Sequence, residues 1–386
     1  MGLLSDYIIR NTAKLRILPN KSYAREGASL KKVFSFTREH TEMIKGVAIL
    51  LMLVHHLFFF PEWYVEGVSY IGIPLRVNTV EYVIGSFGHI CVSIFAFITG
   101  YGMYFSYRSG GILKKSLSKG VSFLVCYWLV MFAVAIPVNL LLGKTDFTLG
   151  LIAKNLFAYE NSLVSFAWYV RFYLEMLITL PLFYFLLSKR AVVTVPLFMI
   201  IPVVINHFLG KVPGTSTLVC KVVYYSMEYF LWISTGLMGL CVARYGIFEK
   251  MGRLLSRMGR ADFAFCVALM LVLVYLRAYK ENAIGYTFTF DCIYAPIFVF
   301  LAVNIIDKLP ILIHRFLKLM GKYSMFIWYL HSLFFFRTSD LMKYLYAPKV
   351  SILILMWAIL LCLPVAWLLT KISDFILMKV DRKSSR

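Results

Sequence analysis

The sequence predicts an all-α, polytopic integral membrane protein with about ten transmembrane helices and no soluble catalytic domain. Three observations carry this reading. The chain of 386 residues is 61% hydrophobic and 15% charged, whereas soluble domains run near half apolar and a quarter charged. The apolar excess comes in runs, most of them close to the ~20 residues a helix needs to cross a ~30 Å hydrocarbon core. The basic residues gather in alternate connections between those runs, as the positive-inside rule requires.

In chain order the runs are Gly46–Phe60, Gly85–Phe105, Val121–Leu142, Trp168–Leu187, Ala191–Leu209, Tyr224–Val242, Asp262–Leu276, Tyr286–Ile306, Tyr323–Phe336 and Val350–Ile372. The stretch Met1–Arg38 has no continuous apolar core and does not read as a signal peptide, so the first run is expected to direct insertion. Three parts follow: a basic cytoplasmic segment over 1–40, a transmembrane unit over 41–373 and a basic cytoplasmic tail over 374–386. No connection is long enough for a separate catalytic domain, so the helices themselves must carry any chemistry.

The formal net charge is +21, which raises the question of nucleic acid. Its distribution answers it. With both termini inside, most of the basic residues fall in inner segments: Arg10 to Arg38, then Arg108, Lys114, Lys115 and Lys119, then Arg244 to Arg260, Lys308 to Lys322, and the tail. The outer loop Pro61–Val83 instead carries Glu62, Glu66 and Glu81 against one Arg76. The charge sets topology and offers a basic face to anionic lipid headgroups; no nucleic-acid partner is expected. The expected location is the cell membrane, crossed many times. Seven cysteines without a CxxC pair read as small core residues, and no metal-ligand cluster is expected.

Ionisable groups at membrane depth are costly and mark function by default. His55 and His56 sit deep in the first run and His331 deep in the ninth, with Lys45 near the inner end of the first. Adjacent helical residues point about 100° apart, so His55 and His56 cannot serve one pocket equally. Arg171 and Glu175 share a helix face and can pair. Glu228 opens the sixth run and Asp291 lies in the eighth. Each has a structural alternative: an ion pair at the outer rim, a rim carboxylate that reaches water, a satisfied core histidine. The aromatic residues of Pro61–Val83 and Gly143–Ala167, and Trp168 beside them, read either as an interfacial belt or as a platform for sugar rings. A neutral imidazole suits proton abstraction. Deep histidines with cations toward the cytoplasm describe an enzyme and a proton-coupled transporter alike.

The order of these residues resembles the membrane-bound acyltransferase 3 family, which includes many bacterial sugar O-acetyltransferases. The run REHTEMIKGVAILLMLVH is similar to the family's opening helix, with Arg38, Glu42, Lys45, Gly46 and His55 at the pattern positions. Glu42 stands for an Asp and Lys45 for an Arg; the second change loses the planar fork that grips an anion in two places. CVSIFAFITGYGM resembles the second-helix run, with Ser93 in place of an acid. FAWYVRFYLEMLITLPLF resembles the fourth helix, and GKYSMFIWYLHSLFF the run that ends on His331, with Met325 and Trp328 where the family has Tyr. The family's inner-loop Arg-x-x-Arg is not cleanly present; Arg108, Lys114, Lys115 and Lys119 are basic but spaced differently.

The resemblance implies an acyl-CoA donor, acetyl-CoA above all, used as co-substrate on the cytoplasmic side with no bound cofactor. It also implies a glycan or lipid-linked sugar acceptor. On this reading His55 is the proton acceptor, Arg38, Lys45 or Arg171 opposes the developing oxyanion, Glu42 belongs to the same constellation, and His331 orients or relays. The basic loop holds the donor phosphates, and Trp168, Arg171, Glu175, Glu228 and Asp291 serve the acceptor or the frame. The rival is a transporter or flippase of a lipid-linked sugar, with His55, Glu228 and Asp291 as its coupling path.

Overall fold

The computed structural model describes residues 34–143, 148–187, 191–211, 217–284, 290–335 and 338–384. The basic segment before residue 34, Tyr286 and Phe336 lie outside the described residues. Among the described residues the fold is helical, and two isolated bridges are its only β-type pairings.

Helix α1 (Arg38–Phe58) starts in a capping box: the Thr37 hydroxyl accepts from the His40 amide while the His40 ring accepts from the Thr37 amide. Its far end is capped by two phenols, Tyr64 and Tyr346, which both donate to the Leu57 carbonyl, one of the acceptors a helix end leaves unpaired. The second crossing is broken in two, α2 (Val80–Gly88) and α3 (Cys91–Arg108), with a turn at His89–Ile90. Then follow α4 (Ile112–Val130), a π turn over Met131–Ala135 that continues into α5 (Ile136–Leu141), the short α6 (Leu149–Leu156) and α7 (Trp168–Leu187). The second half comprises α8 (Ala191–Leu209), α9 (Thr217–Tyr245), α10 (Ile247–Leu255), α11 (Asp262–Ile284), α12 (Asp291–Ile306), α13 (Ile311–Phe335), α14 (Ser339–Leu345) and α15 (Ser351–Ser384).

Among the described residues seven helical stretches are long and apolar enough to cross a bilayer: Arg38–Phe58, Val80–Arg108, Ile112–Leu141, Trp168–Leu187, Val219–Tyr245, Ile247–Ala278 and Ser351–Lys379. The chain is a multi-pass membrane protein. The other three runs are helical as well: Pro196–Leu209 and Asp291–Ile306 are apolar but shorter, and α13 carries His314, Arg315, Lys318 and Lys322 in its first half. The boundary expected at 373/374 falls inside α15, which continues without a break to Ser384.

The loop Pro61–Val83 is organised by one of its acids. Glu81 accepts from the Ile73 amide at 3.0 Å and from the Ser351 hydroxyl at 2.5 Å. Ile71 exchanges backbone bonds with Lys349 and Ser351, which ties the loop to the start of α15. Bonds of this kind satisfy irregular backbone beside a membrane.

The packing that matters most for function is the crossing of α1 and α13. Gly46 lies against the Leu317 carbonyl and Gly321 against the Glu42 carbonyl, both closer than any side chain would allow. Small residues are what let two helix backbones approach in a bilayer.

Candidate active site

The α1–α13 crossing brings two distant histidines together. His56 and His331 each lie ten residues beyond the crossing glycine of their helix, about 15 Å up each axis. There His331 Nε2 meets His56 Nδ1 at 3.1 Å. The other nitrogen of His331, Nδ1, faces the Trp328 carbonyl. A carbonyl only accepts, so His331 Nδ1 carries the hydrogen and Nε2 the lone pair. His56 Nδ1 is then the donor, which leaves His56 Nε2 as a lone-pair nitrogen. Phe166 stacks on both rings, at 4.4 Å from His56 and 5.2 Å from His331.

His55 turns the other way. Its Nδ1 lies 2.7 Å from the Gly85 carbonyl, so by the same logic Nδ1 donates and Nε2 holds the lone pair. Gly85 is available because of the break between α2 and α3, where the His89 and Ile90 amides both turn to the Phe87 carbonyl. Gly88 permits the approach: a side chain there would meet the Leu51 carbonyl and lie 3.1 Å from His55 Cβ. The His89 ring sits in the break, 5.0 Å from the His55 ring.

A cavity of about 1210 Å³ joins this cluster to the basic loop. Thr41, Lys45, Met52 and His56 line it from α1. Their spacing marks one helix face, and the eleven steps from Lys45 to His56 cover about 16 Å. Lys114, Lys115, Lys119 and Lys322 line the Lys45 end. At the other end His55, His56 and His89 meet an aromatic wall of Phe60, Trp63, Phe166, Trp168 and Tyr169. Phe60 and Trp63 stack at 4.0 Å with planes 9° apart. The Tyr169 hydroxyl is buried without a hydrogen-bond partner among the described residues, a state that native structures seldom leave unexplained.

The expected residues therefore divide. Lys45, His55, Lys114, Lys115, Lys119 and Trp168 line the cavity, and His331 is fully buried behind His56. Arg38, Glu42 and Arg108 are exposed and stand apart from it. Lys45 is some 15 Å from His55 along the helix, and Arg38 is farther still, so neither cation sits against the imidazoles. Lys115 is also partly engaged, with Nζ 2.6 Å from the Ser106 carbonyl and 2.5 Å from Ser109 Oγ at the end of α3.

Arg171 pairs chiefly with Glu228 on α9, with Glu175 at 3.8 Å on its own helix and the Tyr225 ring 3.6 Å beneath its guanidinium. Asp291 forms a two-point pair with Arg277, at 2.8 and 2.9 Å, and accepts from Ser93 Oγ at 2.7 Å. Ser93 thus hydrogen-bonds an acid donated by α12. None of Arg171, Glu175, Glu228 or Asp291 lines the cavity.

Sequence reasoning missed Arg277, His89 and Tyr169. Arg277 follows directly on the apolar run that ends at Leu276, and carrying that helix one turn further would have placed the cation at membrane depth. The other two carry no sequence signal: a single Tyr in an aromatic helix and a single His near an outer loop are ordinary. Among the described residues, no group of three or more His, Cys, Asp and Glu is arranged to hold a metal ion.

The acyltransferase 3 family model, described as an acyltransferase domain, matches residues 41–371. The chain belongs to the acyltransferase 3 family. The match takes in both halves of the cavity, from the Lys45 face of α1 to Thr370 on α15. Neither the comparison with curated proteins nor that with solved structures gave a match. As a member of the acyltransferase 3 family the protein is a membrane acyltransferase, and its reacting groups are to be sought where the cavity meets the histidines.

Proposed function

We propose that this protein transfers an acyl group, acetyl in the simplest case, from cytoplasmic acyl-CoA to a hydroxyl of a cell-surface or lipid-linked glycan. It does so within the cell membrane, with both termini in the cytoplasm. One observation carries the reading: a single cavity has lysines at one end and lone-pair imidazoles at the other, along one face of α1. Coenzyme A has its phosphates and its thioester at opposite ends of a long arm. A donor whose phosphates meet Lys114, Lys119 and Lys322 lays its thioester toward the histidines. Lysine suits this as a phosphate-binding point charge.

The proton acceptor in this reading is His56 rather than His55. His56 shares the cavity face with Lys45, and His331 holds its Nδ1–H, which fixes Nε2 as the lone-pair nitrogen and orients the ring, as a third group orients the base in other acyl-transfer sites. The acceptor hydroxyl gives its proton to His56 Nε2 while its oxygen attacks the thioester carbonyl. The carbonyl oxygen takes up the negative charge, and the unpartnered Tyr169 hydroxyl is the donor best suited to receive it. Collapse breaks the carbon–sulfur bond, and the thiolate takes the proton back from His56. His55 Nε2 accepts from a second hydroxyl of the acceptor and holds it in register. Trp63, Phe166 and Trp168 offer flat faces for sugar rings.

The transporter reading loses support, because Glu228 and Asp291 are held in ion pairs away from the cavity. The test is transfer of labelled acyl groups from acyl-CoA in washed membranes, with mass spectrometry of surface glycans from cells with and without the gene. Absence of transfer with any acyl-CoA, alongside unchanged glycans, would refute the proposal.

A further inference from the structure

The break between α2 and α3 parts three carbonyls at membrane depth from their i+4 helical partners: Gly85, Ser86 and Phe87, of which Phe87 accepts instead from the His89 and Ile90 amides. Irregular backbone in a bilayer persists only where other groups satisfy it. His55 takes the Gly85 carbonyl at 2.7 Å. Arg277 takes the other two, with Nη1 at 3.5 Å from Ser86 O and 3.0 Å from Phe87 O. The remaining donors of Arg277 are held by Asp291, Nε to Oδ1 and Nη2 to Oδ2, and Ser93 Oγ completes the carboxylate. Arg277 is 3% exposed and Asp291 1%. The guanidinium is therefore fixed on one side by a carboxylate and turns its Nη1 to the helix end, where carbonyl dipoles favour a cation.

We infer that Arg277, gripped by Asp291 and Ser93, is a positioning residue for acyl transfer: it holds the second crossing open at His89, so that the Gly85 carbonyl stays free to fix the His55 ring with its Nε2 lone pair available at the cavity. If the Ser86 and Phe87 carbonyls lost Arg277, the turn would gain by closing into a continuous helix, in which the His89 amide reclaims Gly85 O. His55 would then lose the acceptor that sets its tautomer. Arg277 lies outside the cavity lining and acts through the backbone, so it touches no substrate. The inference rests on the reading of the histidine cavity as the acyl-transfer site.

A double-mutant cycle separates positioning from general stability, since residues acting through one another are non-additive. The charge-neutral pair Arg277→Gln with Asp291→Asn removes both charges together, which avoids stranding one buried ion. Acyl transfer and donor titration are measured in inside-out membrane vesicles for this pair, for His55→Ala and for the combination. The pair is expected to lower kcat about tenfold with an unchanged KM for acyl-CoA. In the His55→Ala background it is expected to cost less than twofold more. Should the pair fail to insert, two milder variants take its place in the same cycle. Ser93→Ala loosens the carboxylate, and Arg277→Lys keeps the charge but cannot span both the carboxylate and the carbonyls. A further tenfold loss in the His55→Ala background would overturn the inference, as would wild-type kcat in every variant of the pin. His56→Ala reports separately on the site itself: if it transfers normally, the underlying reading fails, whereas its loss with an additive pin defeats only the positioning role.

Discussion

His331 Nε2 lies 3.1 Å from His56 Nδ1, joining two residues 275 positions apart in the chain. Both rings are held from behind, His331 by the Trp328 carbonyl and His56 by His331 itself. A base with its second nitrogen occupied in this way is poised to take a proton without changing tautomer.

The first prediction follows from that pair. His56→Ala is expected to lower acyl transfer by about 10²–10⁴-fold, the usual worth of a general base, while the protein still inserts and remains monodisperse in detergent. His55→Ala should be milder, lowering kcat about tenfold and raising the KM for the acceptor. Steady-state transfer in membranes measures both. A His56→Ala protein with more than about half of wild-type activity would return His56 to a packing role.

Tyr169 gives the second. Removing only its hydroxyl in Tyr169→Phe leaves the ring contacts with Trp328 and Tyr173 in place. One lost oxyanion donor is worth about 10²–10³-fold in kcat, with the KM for either substrate little changed. A drop in substrate affinity at constant kcat would mean that Tyr169 binds ground states rather than the developing charge.

The donor end supplies the third. Lys119 and Lys114 are exposed at the cavity, so Lys119→Ala or Lys114→Ala should raise the KM for acyl-CoA about tenfold, the value of one charge-assisted contact of ~1.5–3 kcal/mol. Lys115→Ala should affect the donor less, since its ammonium already serves Ser106 and Ser109. Equal donor KM in all three variants would leave the loop with a topological role alone.

The close crossing of α1 and α13 makes a stability prediction. A methyl group at Gly321 would collide with the Glu42 carbonyl, and overpacking typically costs about 1–3 kcal/mol. Gly321→Ala should lower the apparent Tm in detergent, and it should lower kcat as well, because the shift propagates to the His56–His331 contact. Wild-type Tm and kcat together would show that the crossing is not what holds the pair.

Topology is tested by labelling. A cysteine at Ser384, in a chain whose exposed native Cys220 is replaced by Ser, should resist a membrane-impermeant thiol reagent in intact cells and react after permeabilisation. Labelling from outside would invert the orientation drawn from the basic residues.

Much of the fold was legible in the sequence, because a bilayer imposes a length and a composition on each crossing. The runs, the helical class and the basic loop beside the cavity all follow from one-dimensional patterns, and the acyltransferase motifs stand in order along the chain. Lys45 and His55 stood out in the sequence because ionisable groups are rare within apolar runs, and both line the cavity. What the sequence could not supply was pairing between helices. It offered Arg171 with Glu175, four apart on one helix, but the nearer partner is Glu228 on another. It offered Asp291 as a lone intramembrane acid, but Arg277 neutralises it across a helix boundary. It offered Arg38 and Lys45 as oxyanion partners of His55, but helix rise alone puts them too far away. It could not supply the direction in which the adjacent His55 and His56 rings face. Those directions were set by two glycine crossings and a helix break, where backbone atoms meet at distances set by packing rather than by any residue's own preference.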